Sequence, residues 1–156
     1  VAEDVTLTAH AGGKQGQTTA TFASDAFGPV SVELEHAPGT VYINSNTVSD
    51  GLDITVDAYA GMAEGDQITV NFNVTGTLDP NSTNPLPNVT LPVHTVSTAE
   101  VGKPIAFTID GSTLIGVQAD TNKNPPLESV ATAVVVKPST QRQVTGTSPT
   151  YIYDTK

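Results

Sequence analysis

A strict two-residue alternation constrains this chain more than any other feature. In Leu52–Val56, Leu52, Ile54 and Val56 fall on one side and Asp53 and Thr55 on the other. Ile68, Val70, Phe72 and Val74 then alternate with Thr69, Asn71 and Asn73. That is the period of a β-strand buried on one face. Between them, Tyr59, Gly61, Met62, Glu64, Gly65 and Asp66 form a turn with two glycines available for positive φ. Two strands joined this way predict one corner of an antiparallel sandwich.

The rest of the chain repeats that grammar. Val1 to His10 alternates Val5, Leu7 and Ala9 against Asp4, Thr6 and Thr8, predicting an N-terminal strand. Ala11 to Gly16 reads as a turn, Gln17 to Phe22 as a weak strand, and Val30, Val32 and Leu34 as a third strand after Gly28-Pro29. A short apolar run, Val41 to Ile43, follows. Thr75 to Asn88, with prolines at 80, 85 and 87, predicts a long exposed loop. Val89 to Val96 resumes a strand in which Pro92 predicts an edge or a bulge. Ile105 to Ile109 is strand-like. Leu114 to Val117 is a strand or one helical turn, and Asp120 to Pro126 is a second exposed loop. Ser129 to Val136 is the most apolar segment and predicts a central strand. Lys137 to Lys156 is polar, with one candidate strand at Tyr151 to Tyr153.

Eleven prolines and thirteen glycines interrupt any long helix, and the abundant Thr and Val suit a pleated surface. The fold class expected is all-β, an immunoglobulin-like antiparallel β-sandwich with Greek-key connections. Its predicted core holds Leu52, Ile54, Val56, Ile68, Val70, Phe72, Ile105, Phe107, Val130 and Val134. Residues 49–140 form the sandwich. Residues 1–48 are N-terminal strands, as an extension or as part of the same sandwich, and 141–156 are a C-terminal tail or strand.

From Asp50 to about Lys137 the order of motifs is D-G-L-x-I-x-V, Y-A-G-M-A-E-G-D-Q-I-T-V, V-S-T-A-E-V-G-K-P-I-A-F-T-I and E-S-V-A-T-A-V-V-V. This stretch resembles the immunoglobulin-like modules repeated in large surface proteins of Gram-negative bacteria such as pseudomonads and Burkholderia. The resemblance covers a little over half the chain and leaves residues 1–49 and 138–156 outside it. It implies a spacer or adhesive unit of an exported protein, located at the cell surface, with no catalytic residues to carry over. The expected partners are copies of itself or neighbouring modules, with a host receptor or glycan at the loops. The N-terminal strand also resembles the exchanged strand of fimbrial subunits, so Val1, Val5, Leu7 and Ala9 are candidate interaction residues of a self-assembling filament. A phage or virion surface protein uses the same sandwich and is the alternative.

The formal net charge of −10, from 16 acidic and 6 basic residues, repels nucleic acid and anionic membranes. No apolar run reaches the roughly 20 residues of a membrane span. The chain has no cysteine, hence no disulfide and no zinc-thiolate site. Val1 reads as a mature N-terminus or as a boundary.

His10, His36 and His94 lie far apart and form no metal-binding pair. No cofactor is expected. Calcium is the one cation the acidic loops leave open, with Asp120, Asn122, Asn124 and Glu128 as candidate ligands, although they depart from the D-x-D-x-D-G pattern. Gly12 to Gly16 fails as a phosphate loop and reads as a hairpin. There is no G-x-S-x-G elbow. An internal isopeptide bond needs a buried lysine, whereas Lys103 and Lys137 both adjoin proline and read as exposed.

Overall fold

The computed structural model describes residues 3–22, 26–120 and 126–156; at 3–5, 7, 11 and 19–22 the backbone alone is described. The period-two segments become strands wherever one side can be covered. They are β1 (Glu3–Ala11), β2 (Lys14–Phe22), β3 (Val32–Leu34), β4 (Tyr42–Asn44), β5 (Leu52–Val56) and β6 (Gln67–Thr75). After these come β7 (Asn88–Thr90), β8 (His94–Thr95), β9 (Ile105–Ile109), β10 (Glu128–Lys137), β11 (Arg142–Thr147) and β12 (Tyr151–Asp154).

One sheet has the order β3-β5-β9, and the other centres on β6 and β10, flanked by β7 and β8 on one side and by β11, β12 and β4 on the other. The chain runs from β5 to β6 across the gap between sheets, so these two strands are not paired with each other; they make the predicted corner. It crosses back from β8 to β9 and again from β9 to β10. This path, with every link antiparallel except β12 to β4, is the Greek-key path of an immunoglobulin-like sandwich. The all-β expectation holds.

The core lies between the sheets. Leu52, Ile54, Val56, Ile68, Val70 and Phe72 are all buried in it, as are Ile105 and Phe107. Val130 and Val134 are a correction: the buried positions of β10 are Ser129, Ala131, Ala133 and Val135, and both valines point to the opposite face, half-buried. Register explains the inversion. Ala131 lies opposite Phe72 and Ala133 opposite Val70, so small β10 side chains leave room for large β6 ones. Hydropathy alone puts the valines inside, whereas volume puts the alanines there.

Edges carry the irregularities. Asn71 pairs with Thr90 and Ile68 with His94, three residues apart on β6 and four on the facing strand. The extra residue is a bulge around Pro92, where the sequence predicted an edge or a bulge. The same offset recurs between β11 and β12, because Thr132 pairs with Thr147 and Ser129 with Tyr151. This second bulge sits at Ser148–Thr150, and Ser148 Oγ accepts from the Ala131 amide at 3.0 Å. Strand β11 escaped the sequence reading because RQVTGT has one aliphatic residue and no alternation of hydropathy.

The segment 114–117 follows a 3₁₀ turn at Gly111–Thr113, and Leu114 and Val117 are buried. β1 and β2 form a hairpin with a two-residue Gly12-Gly13 turn, tighter than the predicted Ala11–Gly16, and among the described residues share no ladder with either other sheet.

Gly146 sits where β11 passes under Val30. A Cβ built there would lie 2.2 Å from the Val30 carbonyl oxygen. Gly146→Ala is therefore expected to destabilise by about 1–3 kcal/mol through overpacking. Urea unfolding should show a lower midpoint at unchanged slope.

Candidate interaction surface

At one end of the sandwich the chain leaves β6 at Thr75 and makes the long 76–87 connection. It is polar, yet it is held at several points. The Asp79 amide donates to the Gln118 carbonyl at 2.9 Å and the Thr83 amide to the Gly116 carbonyl at 3.1 Å. Ser82 Oγ accepts from the Gln118 amide at 3.0 Å, and Asn84 Nδ2 donates to the Ile115 carbonyl at 2.5 Å. Leu78 and Leu86 pack against the core, and Pro87 is buried. The loop predicted as simply exposed is thus a clasp in which Gly76 and Thr77 at its start and Pro80, Asn81, Thr83 and Pro85 at its tips face solvent.

Beneath it, the 111–119 segment is anchored by the C-terminal strand. The Tyr153 hydroxyl donates to the Leu114 carbonyl at 2.8 Å, and Thr155 Oγ1 donates to the same oxygen. Burial pushes the Tyr153 phenol well above its ordinary pKa. A surface built this way keeps its shape on binding, because its ordering cost is already met by the fold.

The opposite end is closed by charge. Gly61 and Gly65 take the positive φ values predicted for them, 77° and 87°. They fold the turn so that Asp66 Oδ2 accepts from the Ala63 amide at 3.0 Å and from the Tyr59 hydroxyl at 2.9 Å. The other oxygen, Oδ1, pairs with Lys137 Nζ at 3.0 Å, with the Asp66 side chain 2 % exposed and that of Lys137 18 %. Lys137 also donates to the Gly61 carbonyl at 2.8 Å and lies 5.1 Å from the centroid of the Phe27 ring. The expectation of an exposed Lys137 is therefore wrong: β10 delivers its ammonium over the turn before it reaches Pro138. Burial, then the bond to Asp66, raise the Tyr59 pKa far above the usual phenol value.

A third polar cluster caps the 97–100 turn. Glu100 Oε2 accepts from the Ser97 amide at 2.8 Å and from Ser97 Oγ at 2.7 Å, while Oε1 lies 3.1 Å from His94 Nε2. The Ser97 bonds hold the carboxyl at a pKa of about 2, down from 4.5. A folded-state pKa below the unfolded one stabilises above pH 4.5 and loses that contribution as pH falls toward 2. Glu100→Gln is expected to flatten the acid limb of the stability profile between those pH values, checked by melting temperature against pH.

The three histidines remain apart. His10 is exposed, His36 stacks on Tyr151 at 4.7 Å, and His94 meets Glu100. Of the calcium candidates, Asn122 and Asn124 lie outside the described residues, Asp120 is half-buried, and Glu128 is exposed at the start of β10. Among the described residues, no three His, Cys, Asp or Glu side chains gather as a metal site. Of the candidate interaction residues, Val1 lies outside the described residues, Val5 and Leu7 sit on the β1 backbone, and Ala9 is exposed. β1 pairs with β2 of its own chain. Sequence reasoning missed the clasp and the buried ion pair, because both join residues far apart in the chain.

No family model matches the chain, and no curated protein matches it. Among solved structures it is similar to a bacterial immunoglobulin-like domain from the M. primoryensis ice-binding adhesin. The two are 16 % identical with a TM-score of 0.42, over 81 % of this chain and 96 % of that one.

Proposed function

We propose that this chain is a non-catalytic structural and adhesive module of an extracellular bacterial surface assembly. The observation that carries the reading is the clasp at residues 76–87. A connection that long, pinned by hydrogen bonds at Asp79, Ser82, Thr83 and Asn84, turns a loop into a rigid display. The exposed tips offer proline and amide groups, a chemistry suited to a glycan or a host receptor. Copies of the chain or neighbouring modules would join through the N-terminal hairpin, whose β1 carries the alternating Val5, Leu7 and Ala9. The sandwich supplies stiffness, and the loops supply contact.

Pro80→Lys combined with Pro85→Lys tests this reading, since both prolines are exposed. The melting temperature should stay nearly constant, as for most surface substitutions. Binding of the coated chain to a glycan array or to host cells should fall about tenfold or more, the loss of one good contact. Unchanged binding, or none by the wild type, would refute the reading.

A further inference from the structure

Among the described residues, every edge of the two sandwich sheets is blocked except one. β7 and β8 are interrupted at Pro92 and bulged. β4 is three residues long, and its Tyr42 carbonyl already accepts from the Ala37 amide at 2.9 Å. β11 is polar throughout except for Val144. β3 is three residues long and carries an exposed charge, Glu33, in its middle. Such devices are how sheet proteins avoid edge pairing.

β9 has none of them. Its sequence, IAFTI, holds no charge and no proline; Lys103, Pro104 and Asp110 stand only at its flanks. Among the described residues its backbone bonds β5 on one side and nothing on the other. Beside that open edge runs a groove of about 270 Å³ lined by Leu91, Pro92, Val93, His94, Phe107 and Thr108. Val93 is 57 % exposed there. This is the seam where the two sheets part.

The same chain carries a segment short of a partner. Among the described residues β1 and β2 pair only with each other, and a lone two-stranded hairpin is marginal in water. Alternation sets Val5, Leu7 and Ala9 at positions on one face of β1, whose outer edge is unpaired among the described residues. An unpaired strand with an apolar face and an unpaired edge beside an apolar groove are complementary.

We propose that the open edge of β9 receives β1 of a second copy of this chain, extending β3-β5-β9 into a five-stranded sheet by strand addition. The apolar positions of β1 then cover the groove and Val93. Because donor and acceptor are different surfaces, the contact is head-to-tail and propagates into chains. The inference rests on the structural reading above and adds its receiving site.

The test uses the full chain with two single charges, Val93→Lys at the acceptor and Leu7→Lys at the donor. By analytical ultracentrifugation the wild type should grow in mass with concentration. Each variant should associate at least about tenfold more weakly, since a charge enters an apolar contact. Mixing the two should restore heterodimers that go no further, because each variant keeps one intact surface. As the chain has no native cysteine, Leu7→Cys and Val93→Cys variants should form a mixed disulfide on mixing and oxidation. A monomeric wild type, or a Val93→Lys chain that assembles like the wild type, overturns the proposal. If glycan or cell binding survives in either case, the proposed function stands without this contact.

Discussion

Replacing Asp66 by alanine is expected to cost about 3–5 kcal/mol, the largest effect of any surface-proximal substitution in this chain. The carboxylate is 2 % exposed and satisfies Lys137, Tyr59 and the Ala63 amide together. Its loss leaves an ammonium only 18 % exposed without its counter-charge and a buried phenol without an acceptor. For a chain of this size that corresponds to a fall in melting temperature of roughly 10 °C. Lys137→Met alone should cost less, because its stem keeps packing near Phe27 while Asp66 retains two donors. The double variant should lie closer to Lys137→Met than the sum of the single costs, by about 0.5–3 kcal/mol of coupling. Additive costs in that cycle would mean that the pair carries no energetic weight.

Phe72→Ala should cost about 3–5 kcal/mol, whereas Val134→Ala should cost well under half of that. Phe72 is fully buried, its ring centroid 5.9 Å from that of Tyr153, and the small Ala131 faces it across the ladder. No larger neighbour on β10 is placed to fill the space. Val134 lies on the opposite face and is half-buried. Chemical unfolding of both variants under one set of conditions checks the contrast. Equal costs would mean that β10 is in the other phase, with the valines inside.

That contrast also marks where the sequence was legible. β5, β6 and β9 were readable because each alternates cleanly and is covered on one face, so periodicity and burial carry the same information. In β10 they diverge: SVATAVVV is apolar at both phases, and only the volume of Phe72 across the ladder decides which side faces in. β11 was invisible because an edge strand needs few apolar residues. Its existence follows from hydrogen bonds to β10 rather than from hydropathy.

The clasp was half legible. Prolines at 80, 85 and 87 announced a connection that would not join a central strand. Its fixation depends on the carbonyls of Ile115, Gly116 and Gln118, and a backbone acceptor has no signature in the side-chain sequence. The ion pair was missed for a related reason. Asp66 was correctly read as a turn residue, but Lys137 is 71 positions away in the chain, and only the antiparallel register of β6 and β10 brings them together.

The parallel ladder between β4 and β12, with Tyr42 beside Ile152 and Asn44 beside Asp154, has a mechanical corollary. When tension enters ahead of β4 and leaves after β12, the two strands are dragged past each other lengthwise. Their bonds then share the load at once, where a hairpin under the same pull would open rung by rung.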